Sequence, residues 1–300
     1  LFRQSHTLPM VADNLAQEAW HHLHQLDLSA AEQTADECIA LCTQIHNGWN
    51  LCLAWQTKGQ VAACRGEWAL ALHCYETALD HGQQAGFVIG GVVTPLLLGE
   101  LLRSMGETVR AQKLHYGAYI VAVKKAPFLL HAAHAQLAIH AYQRNQITSG
   151  DQWLASALES QPNGAIGRAW CVLADLPRAV VQQAQVKGNW TEALPVVETA
   201  LDEASARQLP LYRPQLLLAQ GTVLTALERY VQAEAVFQEA LATATVATLR
   251  PIRWHLYWEL SHLYQRQERT VEEQQMAHLA RQEGDLLGPS FSGSVYAQPG

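Results

Sequence analysis

The stretch Trp55–Leu79, WQTKGQVAACRGEWALALHCYETAL, decides the fold. Gly66 suits the left-handed cap that ends a helix, so the stretch reads as a helix A, a turn at Arg65-Gly66-Glu67 and a helix B. Gly59 and Ala71 are small enough to let A approach B closely, while Tyr75 fills the gap between one hairpin and its neighbour. Gly221, Ala233, Phe237, Ala240 and Leu241 repeat the marks Gly59, Ala71, Tyr75, Ala78 and Leu79 far downstream. The offset is the same in both places, since 71−59 and 233−221 each give 12.

Weaker copies occupy the rest of the chain. Gly99, Gly106, Ala111 and Ala118 form one; Ala138, Leu154, Ala157 and Leu158 another; Gly188, Ala193, Val197, Ala200 and Leu201 a third. Ser261 stands in the glycine place of the last copy, with Tyr264 and Ala280, and the first copy is degenerate around Ala19, Ala31, Ala35 and Cys38. The small-residue positions 19, 59, 99, 138, 181, 221 and 261 are separated by 40, 40, 39, 43, 40 and 40 residues. The order Trp55, Gly59, Gly66, Ala71, Tyr75, Ala78 resembles the tetratricopeptide pattern, whose usual period is about 34. The longer period is expected to lengthen helices and connections. Further turns are expected at Met105-Gly106-Glu107 and Lys187-Gly188-Asn189. The predicted fold is all-α: a right-handed superhelical α-solenoid of about seven hairpins over residues 15–283. A lead-in over 1–14 and a Gly/Ser/Pro-containing tail over 284–300 flank it. Each hairpin buries its apolar face only against its neighbours. Trp55 is expected to pack between helices A and B.

The closing stretch Leu249–Arg269, LRPIRWHLYWELSHLYQRQER, and the segment Arg213–Gly221, RPQLLLAQG, carry a further likeness. They resemble the C-terminal repeats of large bacterial signalling ATPases, the MalT-like, LuxR-type regulators of the STAND class and related multidomain kinases and cyclases. The resemblance implies a sensor arm that binds an inducer or partner and controls a nucleotide-driven switch. No Gly-x-x-x-x-Gly-Lys-Ser/Thr occurs, so ATP is expected only in a domain outside this chain, and no cofactor within it. The first residue is Leu1, which suggests a piece of a longer product, with any effector domain upstream.

Composition sets the remaining bounds. The 300 residues are 49% apolar and 16% charged, ample for a core, and carry a formal charge of −7. Lys124-Lys125 is the one adjacent basic pair of note, and no stripe of Lys and Arg offers itself to a phosphate backbone, so direct nucleic-acid binding is not expected. The apolar run Phe87–Leu98 is too short to span a bilayer and reads as a buried helix start, and no signal peptide is visible. Cysteines at 38, 42, 52, 64, 74 and 171 are scattered through apolar patterns and read as reduced thiols of a cytoplasmic protein. Cys38 and Cys42 share a helix face as a thiol pair or, more simply, as small core residues. His131-x-x-His134 with His140, and His21, His22 and His24, are the densest histidine groups, but neither comes with a spaced carboxylate or Cys pair, so no metal is expected. Nucleophile elbows, His-Glu-x-x-His and Ser-x-x-Lys are absent, and no catalytic residue is assigned.

Function is therefore sought on the concave face. With helix-A positions 2, 5, 9, 12 and 13 turned inward, as in relatives, the offsets choose Glu100 and Arg103, Tyr142 and Gln143, Arg178 and Gln182, then His255, Trp258, His262 and Arg266. Aromatic and Arg side chains suit recognition. The expected partners are a protein, a peptide or a small inducer in the groove, and an intramolecular nucleotide-binding domain if the protein is larger. A free-standing adaptor is the alternative, and an enzyme of unrecognised type a remote one.

Overall fold

A computed structural model of the chain describes residues 7–161 and 173–291, and every regular element among them is helical. The chain divides into two compact units, Leu1–Pro127 and Phe128–Gly300. The first holds α1 (Leu8–His24), α2 (Leu28–Ile45), α3 (Gly48–Arg65), α4 (Trp68–Gln84), α5 (Gly90–Ser104) and α6 (Thr108–Lys125). These make three hairpins, α1/α2, α3/α4 and α5/α6, and each packs on the next through α2 with α3 and α4 with α5. The leading helices α1, α3 and α5 also touch in order.

The second unit repeats the plan with α7 (Leu130–Gln143), α8 (Ile147–Glu159), α9 (Asp175–Lys187), α10 (Trp190–Ala206), α11 (Arg213–Ala226), α12 (Tyr230–Val246), α13 (Arg250–Arg266) and α14 (Thr270–Leu287). Its leading helices α7, α9, α11 and α13 again form a row. The chain thus has a tetratricopeptide-like repeat fold, with fourteen α-helices among the described residues. The two units meet in sequence where Pro127 opens a 3-10 turn after α6. Helix α1 starts at Leu8 rather than 15, because Pro9 sits in its first turn, where its missing N–H costs nothing. Helix α14 runs through Gly284 to Leu287, and Phe291 beyond it packs edge-on against Trp254, with ring centroids 4.9 Å apart. The longer period is taken up in part by the helices themselves, α3 and α4 having 18 and 17 residues.

The repeat is written most regularly in the backbone. Residues with positive φ close the turn inside every hairpin: Leu26, Gly66, Gly106, Asn145, Gly188, Glu228 and Glu268. Their spacings are 40, 40, 39, 43, 40 and 40. Three are the expected glycines; the other four carry side chains in a region that is costly for L-residues.

Close approach within hairpins follows the small residues. A Cβ placed on Gly59 would lie 2.7 Å from the Tyr75 ring, one on Gly221 would lie 2.2 Å from Phe237, and one on Gly99 would lie 2.2 Å from His115. His115 thus occupies the aromatic position of the third hairpin, fully buried, with Nε2 3.1 Å from the Leu96 carbonyl oxygen. In the fourth hairpin the parts change sides: the ring is Tyr142 on α7 and the small residue is Gly150 on α8, where an added Cβ would lie 2.4 Å from the ring. Ala71, Ala78, Ala111, Ala193, Ala233 and Ala240 are all buried at the expected interfaces. Trp55 is half-buried between α3 and α4, edge-on to His73 at 5.9 Å, with the Lys58 ammonium 5.7 Å from its ring centre.

Candidate recognition surface

The leading helices carry the candidate residues, and each unit presents its own set. In the first unit Glu100 and Arg103 lie one turn apart on α5 and form an ion pair. Arg103 is only 2% exposed, so its guanidinium is spent inside the fold. The expectation that it faces a ligand is corrected: a buried cation beside its carboxylate is part of the packing, because removing its partner would leave an uncompensated charge. Glu100 remains partly accessible.

In the second unit Tyr142 is likewise buried, and its assignment to the groove is corrected. Its hydroxyl donates to Asp151 Oδ1 of α8 at 2.9 Å, and the same carboxylate accepts from Gln183 Nε2 at 2.7 Å and pairs with Lys187 Nζ at 3.1 Å, both on α9. Burial pushes the Asp151 pKa up, but the three donors together hold it below the ordinary carboxylate range. Burial, then the bond to Asp151, pushes the Tyr142 phenol up. Gln143, beside it, is exposed at the end of α7. On α9, Arg178 and Gln182 are half-exposed, and Gln182 Nε2 donates to Gln185 Oε1 at 2.5 Å.

Helix α13 gathers the most distinctive group. Trp254, Trp258 and His262 follow at four-residue spacing, so their rings stack up one side of the helix. Trp254 and Trp258 lie 5.8 Å apart and nearly parallel at 12°, and the His262 ring meets Trp258 edge-on at 4.7 Å. Exposure rises along this ladder: Trp254 is buried, Trp258 half-buried, His262 exposed. Arg266 continues the line into solvent, and His255 sits beside it with Nε2 3.6 Å from Glu259 Oε1. One period earlier, on α11, the same positions hold Leu218 and Thr222, short side chains barely reaching the surface. Thr222 folds its hydroxyl onto the Leu218 carbonyl at 3.0 Å. Sequence reading did not single out Trp254, Leu218 or Thr222; the 40-residue offset from Trp258 and His262 was the signal for the latter two.

The described residues contain no group of three His, Cys, Asp or Glu side chains able to hold a metal ion. His131, His134 and His140 are buried along α7, and burial lowers His131 to about 4 and His134 below its usual value. Cys38 and Cys42 are buried with their sulfurs 3.7 Å apart; the hydrogen bond between them raises the Cys38 pKa and lowers that of Cys42. The other described cysteines are free thiols, and Cys171 lies outside the described residues. No helix among the described residues is long and apolar enough to cross a membrane.

No family model and no curated protein matches the chain. Solved structures do. The apo form of RapI is similar with a TM-score of 0.60 at 12% identity, covering 91% of this chain and 98% of that one. A Rap protein complexed with Competence and Sporulation Factor gives 0.56 at 11% identity, covering 94% and 99%. A tetratricopeptide repeat protein from Parabacteroides merdae gives 0.46 at 15% identity, covering 92% and 93%.

Proposed function

We propose that the chain is a binding and regulatory repeat module that takes a peptide, a protein segment or a small inducer along the leading helices of its second unit. The observation that carries this reading is the α13 ladder, in which Trp258, His262 and Arg266 grade from half-buried to exposed. A partly exposed Trp contributes large, rigid contact area at small entropic cost, and Trp and Arg are enriched among the residues that dominate binding. A fold of this type accommodates a ligand in one similar protein, the Rap protein solved with Competence and Sporulation Factor. The module acts by binding, without a catalytic step or cofactor of its own, in the cytoplasm, and away from nucleic acid and membrane.

The finer reading places it as the sensor arm of a larger bacterial signalling or transcription-regulating ATPase of the MalT-like, STAND class, with ATP bound by a domain outside these residues. The closing stretch Leu249–Arg269 supports it. A free-standing adaptor uses the same surface and fits the fold equally. The intact mass of the native gene product, with a nucleotide-binding assay, separates them: a much larger ATP-binding product supports the sensor, one of about 33 kDa the adaptor. For the surface itself, a peptide array is probed with wild-type protein and with Trp258→Ala/His262→Ala/Arg266→Ala. Peptides bound by the wild type should lose at least tenfold in affinity for the triple variant. Unchanged affinity for all of them removes this surface from the proposal.

A further inference from the structure

The geometry points to a second interaction surface: the outward face of α6 docks an acidic amphipathic helix of a partner protein. Helix α6 has two faces. Ala111, His115, Ala118 and Ala122, spaced four, three and four residues apart, are buried against α5. On the opposite side Val109, Tyr116, Ile120 and Val123 are 58, 51, 37 and 47% exposed. Their spacings of seven, four and three place them on one stripe of the helix, continuous through Lys113. Tyr119 stands at the edge of this stripe, its ring 5.8 Å from Tyr116.

Internal comparison shows that this stripe is not a general property of the fold. Moving back 40 and 80 residues, the positions of Val109, Lys113, Tyr116, Ile120 and Val123 are held on α4 by Ala69, His73, Glu76, Asp80 and Gln83. On α2 they are Ser29, Gln33, Asp36, Ala40 and Thr43. Both earlier helices hold small or polar residues at these places, as an outer face should. Among these three helices only α6 turns large apolar side chains outward at the same places; an exposed valine at the place of Val109 recurs on α12 and α14 as Val231 and Val271, so Tyr116, Ile120 and Val123 are what set α6 apart. A contiguous exposed apolar patch rimmed by polar groups marks a partner surface.

Charge identifies the partner. Helix α6 contains Arg110, Lys113, Lys124 and Lys125 and no carboxylate, within a chain of net charge −7. Three of the five lysines of the protein, which are Lys58, Lys113, Lys124, Lys125 and Lys187, lie on this one helix. Arg110 is engaged with Glu107 at 2.7 Å and with Glu76 at 3.8 Å, whereas Lys113, Lys124 and Lys125 are exposed along the stripe and its end. An apolar row bordered by lysines is complementary to a helix with apolar residues at three- and four-residue spacing flanked by Glu or Asp. An anionic bilayer would meet the same lysines, but laying α6 on it would bring Glu76 of α4 beside Arg110 and the neighbouring Asp80 toward the lipid charge. The protein partner is therefore favoured.

The test uses the full chain and a designed probe, a fluorescein-labelled 18-residue peptide with Leu at helical a and d positions and Glu on both flanks. Its controls are the same peptide with Glu replaced by Lys, and vesicles of phosphatidylcholine with one third phosphatidylserine. Saturable anisotropy change with the acidic peptide is expected, weakened at least tenfold by Tyr116→Ser/Ile120→Ser and by Lys113→Glu/Lys124→Glu, while Trp258→Ala leaves it unchanged. These positions are exposed, so circular dichroism melts of the variants should overlay the wild type. No saturable binding of the acidic peptide, equal binding of the basic one, or binding unaffected by both double variants overturns the proposal. Co-sedimentation with the vesicles that displaces the peptide reassigns the face to membrane and equally overturns it.

Discussion

Replacing Gly117 and Gly221 by alanine makes one covalent change in the middle of two helices, and the structure gives the two replacements different outcomes. An alanine in a helix interior is favoured over glycine by about 1 kcal/mol. At Gly117 on α6 nothing lies within 4 Å of the added Cβ, so the full gain should appear as added stability. At Gly221 on α11 the added Cβ would lie 2.2, 2.5 and 2.7 Å from three atoms of the Phe237 ring, which is fully buried on α12. The ring cannot swing into solvent, so the helices must part or the ring must leave its rotamer. Such overpacking costs roughly 1–3 kcal/mol, which cancels or outweighs the helix gain. The gap between the variants should be about 1–3 kcal/mol on the same overpacking scale. Urea unfolding followed by circular dichroism gives each free energy, and hydrogen exchange at α5–α6 and at α11–α12 amides assigns each change to its unit. Adding Phe237→Leu to Gly221→Ala should recover part of the loss, a coupling readable as a double-mutant cycle. If Gly221→Ala stabilises as much as Gly117→Ala, close approach at the small-residue position is not what holds the hairpin together.

Thr248→Gly should stabilise by up to about 1 kcal/mol, since an exposed β-branched residue with φ of 56° incurs a left-handed penalty of roughly 1–2 kcal/mol that glycine avoids, less the freedom it adds to the unfolded chain; thermal unfolding checks this. Tyr142→Phe should cost about 1–2 kcal/mol by removing a donor from Asp151, with no change in peptide binding at α13, whereas a stable variant with altered binding would return Tyr142 to the ligand surface. His131 has a folded pKa lowered to about 4, beneath its unfolded value, so its neutral form is favoured by the fold. Its contribution is complete above the unfolded pKa of about 6.5 and is lost as pH falls from there toward 4, roughly 3 kcal/mol in all. His131→Leu should flatten the urea midpoint between pH 7 and 4, and an unchanged slope would refute the assignment.

Gly59, Tyr75, Gly221 and Phe237 were legible as repeat positions because ring and glycine stand at matching offsets, but each ring packs on the glycine of its own hairpin rather than in the gap between hairpins. His115 plays the same part but was not read, since a histidine does not announce itself as a packing ring. Tyr142 was misplaced for a related reason: ring and small residue exchange helices in the fourth hairpin, so a position rule carried over from the others pointed a packing side chain at the groove. Arg103 was misjudged because sequence spacing shows that a residue faces a neighbouring helix but not how deep its charge lies. The α13 residues were readable as one face, yet the ladder begins at Trp254, which Gly284 and Phe291 bury from the far side. The basic apolar stripe on α6 was passed over because only Lys124 and Lys125 adjoin in sequence; its other members come together through the helical period.

The left-handed residues that close the hairpins have a consequence for how such a protein can change. Each one fixes where a helix ends, and one inserted residue within a helix rotates all that follow in it by about 100°. Four of the seven closing positions are filled by Leu26, Asn145, Glu228 and Glu268 instead of glycine, so the identity of the residue there is open to drift while its place in the count is not. The count departs from 40 only around Asn145, with 39 residues before it and 43 after it. Lineages of this fold should therefore exchange side chains freely and resist single-residue insertions and deletions inside helices, which leaves length as the inherited character and spelling as the variable one.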